Sequence, residues 1–165
     1  MNTKQMFLSM ILGLGLLVGA TGFAATPQCV DDQGNILPLD NAQAIGYKTN
    51  TSNGSTSRIH ASGAITKIYP NATGHNHFEI NMGSGSADTL EVVYNISFGA
   101  LPTLKVGMNV EVCGDFINSY APENGYQASP DGAIVHWIHK TTSSHPAGFT
   151  IINGVLYGQG NGSGA

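Results

Sequence analysis

Between Ser57 and Tyr157 the apolar residues fall in short runs with a period of two, and this pattern restricts the fold more than any other feature. In His77 to Met82, the residues Phe78, Ile80 and Met82 alternate with His77, Glu79 and Asn81. Met108, Val110 and Val112 alternate in the same way with Asn109, Glu111 and Cys113. Side chains two apart share one face of a strand, so each run presents one apolar and one polar face. A first run holds Ile59, Ala61, Ala64 or Ile65, and Ile68, and ends at Pro70-Asn71. Thr89 to Ile96 is another, and Gly132 to His139 is apolar on both faces. Phe149 to Tyr157 reads as a hairpin around Asn153-Gly154, a strong turn dipeptide. Gly83-Ser84-Gly85-Ser86 and the segment from Ser119 to Asp131 are turn or loop. The helical spacing that a coiled coil or helix bundle requires is missing.

Five or six short strands joined by Gly-rich turns predict an all-β barrel or sandwich. The stretch Lys105-Val106-Gly107-Met108-Asn109-Val110-Glu111-Val112-Cys113-Gly114 places one Gly before a strand and a second inside it. Such a second Gly kinks the strand where a small barrel bends. The expected fold is a small five- to six-stranded OB-like β-barrel over residues 57–157. A lipocalin-like barrel or a sandwich is the second reading. Residues 25–56 are rich in turn formers, and they read as an irregular leader with one short helix near Asp40 to Ile45. The tail, 158–165, is Gly, Ser, Asn and Gln with a final Ala, and reads as disordered.

Met1 to Ala24 has the layout of a secretory signal peptide: Lys4, an apolar run from Phe7 to Val18, and then small residues. The run is too short for a transmembrane helix of ~20 residues. Gly22 and Ala24 place cleavage after Ala24, with Ala25 as the second choice. Cys29 follows Thr26-Pro27-Gln28, which is not a lipobox. No second hydrophobic span follows, so the chain reads as an exported protein, periplasmic or secreted, with no transmembrane anchor in its mature part. In an oxidising compartment the two cysteines, Cys29 and Cys113, are expected to pair. A loop that long stabilises by ~4 kcal/mol in the chain-entropy model. No Cys-x-x-Cys motif supports redox or metal chemistry at these thiols.

Charge excludes further classes. Only 10% of residues are Asp, Glu, Lys or Arg, against ~25% in an average domain. Acidic residues outnumber basic ones ten to six, and the basic ones are scattered. Nucleic acid is therefore disfavoured as a partner.

The histidines carry the chemical information. There are six, as many as Lys and Arg together. His75 and His77 lie in one window, and His136 and His139, followed by His145-Pro146, in another; His60 stands apart. Imidazole is the commonest ligand for transition metals and titrates nearest neutral pH. His136 and His139, three apart, point to opposite faces of a straight strand. They serve one site only if the strand ends or bulges between them. His75, His139 and His145 form the candidate metal set, for which Zn or Cu suits the ligand type. His136 and Trp137 are further candidates to line the site. Each also has a plain alternative: His136 as a hydrogen-bonded core residue, and Trp137 as core packing. Glu79, Asp115 and Asp131 are the carboxylates near enough in sequence to act as ligand, general base or outer partner. No nucleophile elbow, phosphate loop, His-Glu-x-x-His or dinucleotide fingerprint is present.

The string Gly132-Ala133-Ile134-Val135-His136-Trp137-Ile138-His139, then His145-Pro146-Ala147-Gly148-Phe149, then Gly154-Val155-Leu156-Tyr157, resembles the end of a family of small exported bacterial proteins, domain of unknown function 3465. That family typically reads Gly-Gly-Val-Val-His-Trp-Thr-His here, then His-Pro-x-Gly-Trp and a final Gly-x-x-Tyr. Upstream, Gly63-Ala64-Ile65, His75-Asn76-His77-Phe78, Asn95-Ile96, Val106-Gly107 and Gly114-Asp115-Phe116 resemble its earlier motifs. The resemblance covers Ser57 to Tyr157. It implies an exported OB-like barrel and supplies no activity. It puts His75, His136, His139 and His145 at motif positions, and leaves His60 and His77 outside them. The turn after the motif usually holds an Asp, where this chain has Lys140-Thr141-Thr142.

Three functional readings are open. The first is a binding module whose histidines and Trp137 take a metal ion or small ligand. The second is a hydrolase of phosphodiester or similar bonds, working through His or a metal-activated water. The third is an interaction protein in which the His-Trp-x-His is a core motif.

Overall fold

The computed structural model describes residues 27–141 and 145–160. The expected signal peptide and residues 161–165 of the tail lie outside them. Seven strands form one sheet: β1 (Thr56–Ile68), β2 (His75–Asn81), β3 (Thr89–Asn95), β4 (Asn109–Asn118), β5 (Ala133–His136), β6 (Phe149–Ile152) and β7 (Val155–Tyr157). The order is β1-β2-β3-β5-β4-β6-β7, and β1 also pairs with β4. The first five strands therefore close on themselves. All their pairings are antiparallel except β3 with β5. This is the all-β, OB-like barrel expected from the alternation, with the β6–β7 hairpin as an addition. Among the described residues no helix is long and apolar enough to cross a membrane.

The alternating runs fill the barrel as their period requires. Ile59, Ala61, Phe78, Ile80, Leu90, Val92, Tyr94, Val110, Val112, Phe116, Ala133 and Val135 point inward and are buried. The residues between them face outward. β1 reaches both its neighbours because it is long and carries a bulge between Ile65 and Lys67. The helix α1 (Asn41–Asn50) runs further than the expected Asp40–Ile45 segment. Asp40 caps it, accepting from the Gln43 N–H at 3.0 Å. Tyr47 rests against Phe116 with ring centroids 6.0 Å apart. The Asn118 amide donates to the Thr51 carbonyl at 2.9 Å, which ties the helix end to β4.

Cys29 and Cys113 form the expected disulfide, with Cα atoms 5.5 Å apart. It fastens the leader to β4. Two expectations are corrected. The fifth run ends at His136, because Trp137 takes a left-handed backbone with φ 51° and turns the chain out of the strand. The start of the tail is ordered against the barrel: the Gly158 carbonyl accepts from the Lys140 N–H at 2.8 Å, and the Gly160 N–H donates to Phe98 O at 3.0 Å.

One edge of β4 positions the segment between β5 and β6. β5 pairs along that edge from Asn118 to Asp115, which lies opposite His136. β6 takes over at Cys113, opposite Phe149. The chain thus leaves this edge after His136 and rejoins it at Phe149, at nearly the same point of β4. Gly114 makes room for the departing chain: a Cβ there would lie 2.4 Å from the His136 carbonyl oxygen. Gly148 does the same at the other end, where a Cβ would lie 2.2 Å from the Trp137 carbonyl oxygen and 2.4 Å from that of Cys113.

Candidate functional site

The register places one row of polar side chains on the outside of the barrel. His136 ends β5 opposite Asp115 on β4, and Asp115 lies opposite Arg58 on β1. His75 opens β2, two strands away. Its Nε2 lies 3.4 Å from Nε2 of His136, and the ring centroids are 5.3 Å apart. The Trp137 ring follows at 4.4 Å from that of His136. The His145 ring stacks on the indole at 4.1 Å with planes 20° apart. His75, His136, Trp137 and His145 are all half-buried, so each keeps contact with solvent.

Behind this array stands a charged support. His145 Nδ1 donates to Asp115 Oδ2 at 2.9 Å. The other oxygen of Asp115 takes a hydrogen bond from the Arg58 guanidinium. Arg58 is only 6% exposed. It also donates to the carbonyls of Val30 at 3.0 Å, Pro146 at 3.1 Å and Ala147 at 2.6 Å. One buried cation thus holds the leader, the 145–148 segment and the carboxylate that orients His145. In the sequence Arg58 is one of the scattered basic residues. Nothing in its local pattern reveals its role, because its partners lie 28 to 89 positions away.

Burial holds the pKa of His136 down to about 4, and the neighbouring His75, His139 and His145 push the same way against Asp115. The ring is therefore neutral at ordinary pH. Burial also lowers the pKa of His139.

His139 does not join the array. Its ring stacks on Phe98 at 3.6 Å with planes 8° apart, and Nδ1 donates to the Lys140 carbonyl at 2.8 Å. It is only 6% exposed. The set His75, His139 and His145 is therefore not assembled, and His75 meets His136 instead. Among the described residues no group of three or more His, Cys, Asp or Glu side chains is arranged to hold a metal ion. The reading of His136 as a core residue is also set aside, since it faces outward. His60, outside the motif, bonds instead to Leu37 O and Glu111 at 3.0 and 2.9 Å.

A second polar cluster lies further along β2 and β3. His77 Nδ1 meets Glu91 Oε1 at 2.7 Å, and Glu91 accepts from Ser129 at 2.6 Å. Tyr69 spans Glu79 and Asp131, its hydroxyl lying 3.1 and 2.9 Å from their carboxylates. Burial, then the adjacent Glu79, raises the Asp131 pKa, while that of Glu79 is lowered. Of the three carboxylates singled out from sequence, only Asp115 touches the histidine array. No family model matches this chain, and no curated protein matches it.

Proposed function

We propose that this chain is an exported β-barrel that binds a metal ion or small ligand on its outer face, at His75, His136, Trp137 and His145. The observation that carries the reading is the unbroken array of these four rings, drawn from the start of β2, the end of β5 and the segment beyond it. Trp137 holds a left-handed backbone to take its place in the array. That conformation costs ~1–2 kcal/mol for a residue with a Cβ. Strain of this kind persists where the surroundings enforce it and concentrates at functional sites. The apolar run and small residues before Ala25 support export, and the Cys29–Cys113 bridge fits an oxidising compartment. Membership of domain of unknown function 3465 belongs to the same proposal and rests on the His-Trp-x-His and His-Pro motifs.

Trp137 is the single Trp, so its fluorescence reports on this face alone. Titration of the full chain with divalent metals and a panel of small polar ligands should give a saturable change for at least one. His145→Ala or His75→Ala should weaken that response. A flat signal across the panel overturns the reading. A hydrolase is the second reading, favoured by the Asp115–His145 hydrogen bond, which is how a carboxylate orients a general base. Turnover of phosphodiesters or esters that disappears in His145→Ala would put it first.

A further inference from the structure

Resting on that reading, we infer that the ligand is a divalent zinc or copper ion held between His75 Nε2 and His136 Nε2, with solvent completing its coordination. The tautomer of His75 is fixed by its far nitrogen. Nδ1 lies 2.8 Å from the Thr73 carbonyl, which can only accept, so Nδ1 carries the proton. In the neutral ring the lone pair is then at Nε2, the atom that faces His136. A backbone carbonyl fixing the far nitrogen is the usual outer support of a metal-binding imidazole.

The separation of the two Nε2 atoms then decides between two accounts. At 3.4 Å it is at the long end for a hydrogen bond between the rings, beyond the ~2.7–3.2 Å usual for N–H···O bonds. It suits two ligands of one ion. Zn–N bonds of ~2.0–2.1 Å at the tetrahedral angle put the two nitrogens ~3.3–3.4 Å apart. The pair therefore stands at ligand spacing before any ion arrives. Imidazole nitrogens favour zinc and copper over calcium or magnesium, which prefer oxygen. With only two protein ligands the ion stays open to solvent, so the site exchanges metal or presents it to a second molecule. His139 bonds elsewhere through Nδ1 and is not needed for this pair.

The test is isothermal titration of the full chain, made without a histidine tag, with Zn2+ and separately with Cu2+. One equivalent should bind. His75→Ala and His136→Ala should each weaken binding by at least the ~10–100-fold that loss of an outer partner alone costs. His139→Ala, outside the array, should stay within about threefold, well short of that loss. His75 sits at the half-buried start of β2, so His75→Ala serves if His136→Ala fails to fold. Binding that survives in both His75→Ala and His136→Ala overturns the inference, as does the absence of binding to the folded wild-type chain. A Trp137 response to a metal-free ligand alongside no metal binding would overturn this inference and leave the wider reading standing. Silence in both assays would end both.

Discussion

Replacing Asp115 by Asn tests whether the Arg58–Asp115 pair organises the candidate site. The exchange keeps shape and removes one charge. Arg58 has a side chain only 2% exposed, against 17% for Asp115, so the guanidinium would lose its counter-charge in a dry place. Breaking a buried ion pair by removing one partner costs ~3–5 kcal/mol. Three backbone carbonyls would still accept from Arg58, and the Asn oxygen could still do so. We therefore expect a loss at the low end, about 2–3 kcal/mol. Urea unfolding of both chains would measure it. His145 would lose its charged partner at the same time, so the Trp137 emission should shift in the folded variant. A cycle with Arg58→Met would isolate the pair. The double variant Arg58→Met/Asp115→Asn should recover at least ~1 kcal/mol relative to additivity, because the unpaired buried charge is gone. A single-variant loss below about 0.5 kcal/mol, or strict additivity, would refute the claim that this pair is desolvated and coupled.

The same geometry sets two further outcomes. His136 titrates near 4 in the fold against 6.5 unfolded, so the unfolded chain takes up the proton first and stability falls as pH drops through that window. The full shift is worth ~3 kcal/mol, and with the ring partly in water the expected loss between about pH 7 and pH 5 is about 1–2 kcal/mol. Unfolding with chelator present should show this loss in the wild type and a smaller one in His136→Gln, where the buried His139 still contributes. An equal pH dependence in both would count against a buried neutral His136. Gly148→Ala would drive a Cβ to 2.2 Å from the Trp137 carbonyl oxygen, a backbone atom that cannot swing aside. It should destabilise by about 1–3 kcal/mol and displace the indole, read as a lower urea midpoint and altered Trp137 emission. Wild-type values for both would mean that Gly148 and the Trp137 carbonyl are not held as tightly as that contact requires.

Much of the barrel was legible in the chain, because strand burial repeats every two residues and leaves its record locally. His77 to Met82 and Asn109 to Val112 alternate in the sequence and alternate in the fold. Asn153-Gly154 marks its hairpin, with both residues in the left-handed region that such a turn needs. The two cysteines of an expected exported chain needed no other partner than each other. The two histidine windows also hold the rings that the fold brings together.

Which histidine meets which was decided only in three dimensions. His136 and His75 are 61 positions apart and come together because β3 and β5 are parallel neighbours. His139, three residues from His136, is lost to the site because Trp137 turns the backbone left-handed and sends it onto Phe98. Arg58 reads as an ordinary charge, and Asp115 as one of three candidate carboxylates, until the β1–β4 register sets them side by side beneath His145. Periodicity belongs to neighbours along the chain, so a sequence carries it openly. The meeting of side chains belongs to closure of the barrel, where packing and register across distant strands determine which nitrogen faces which.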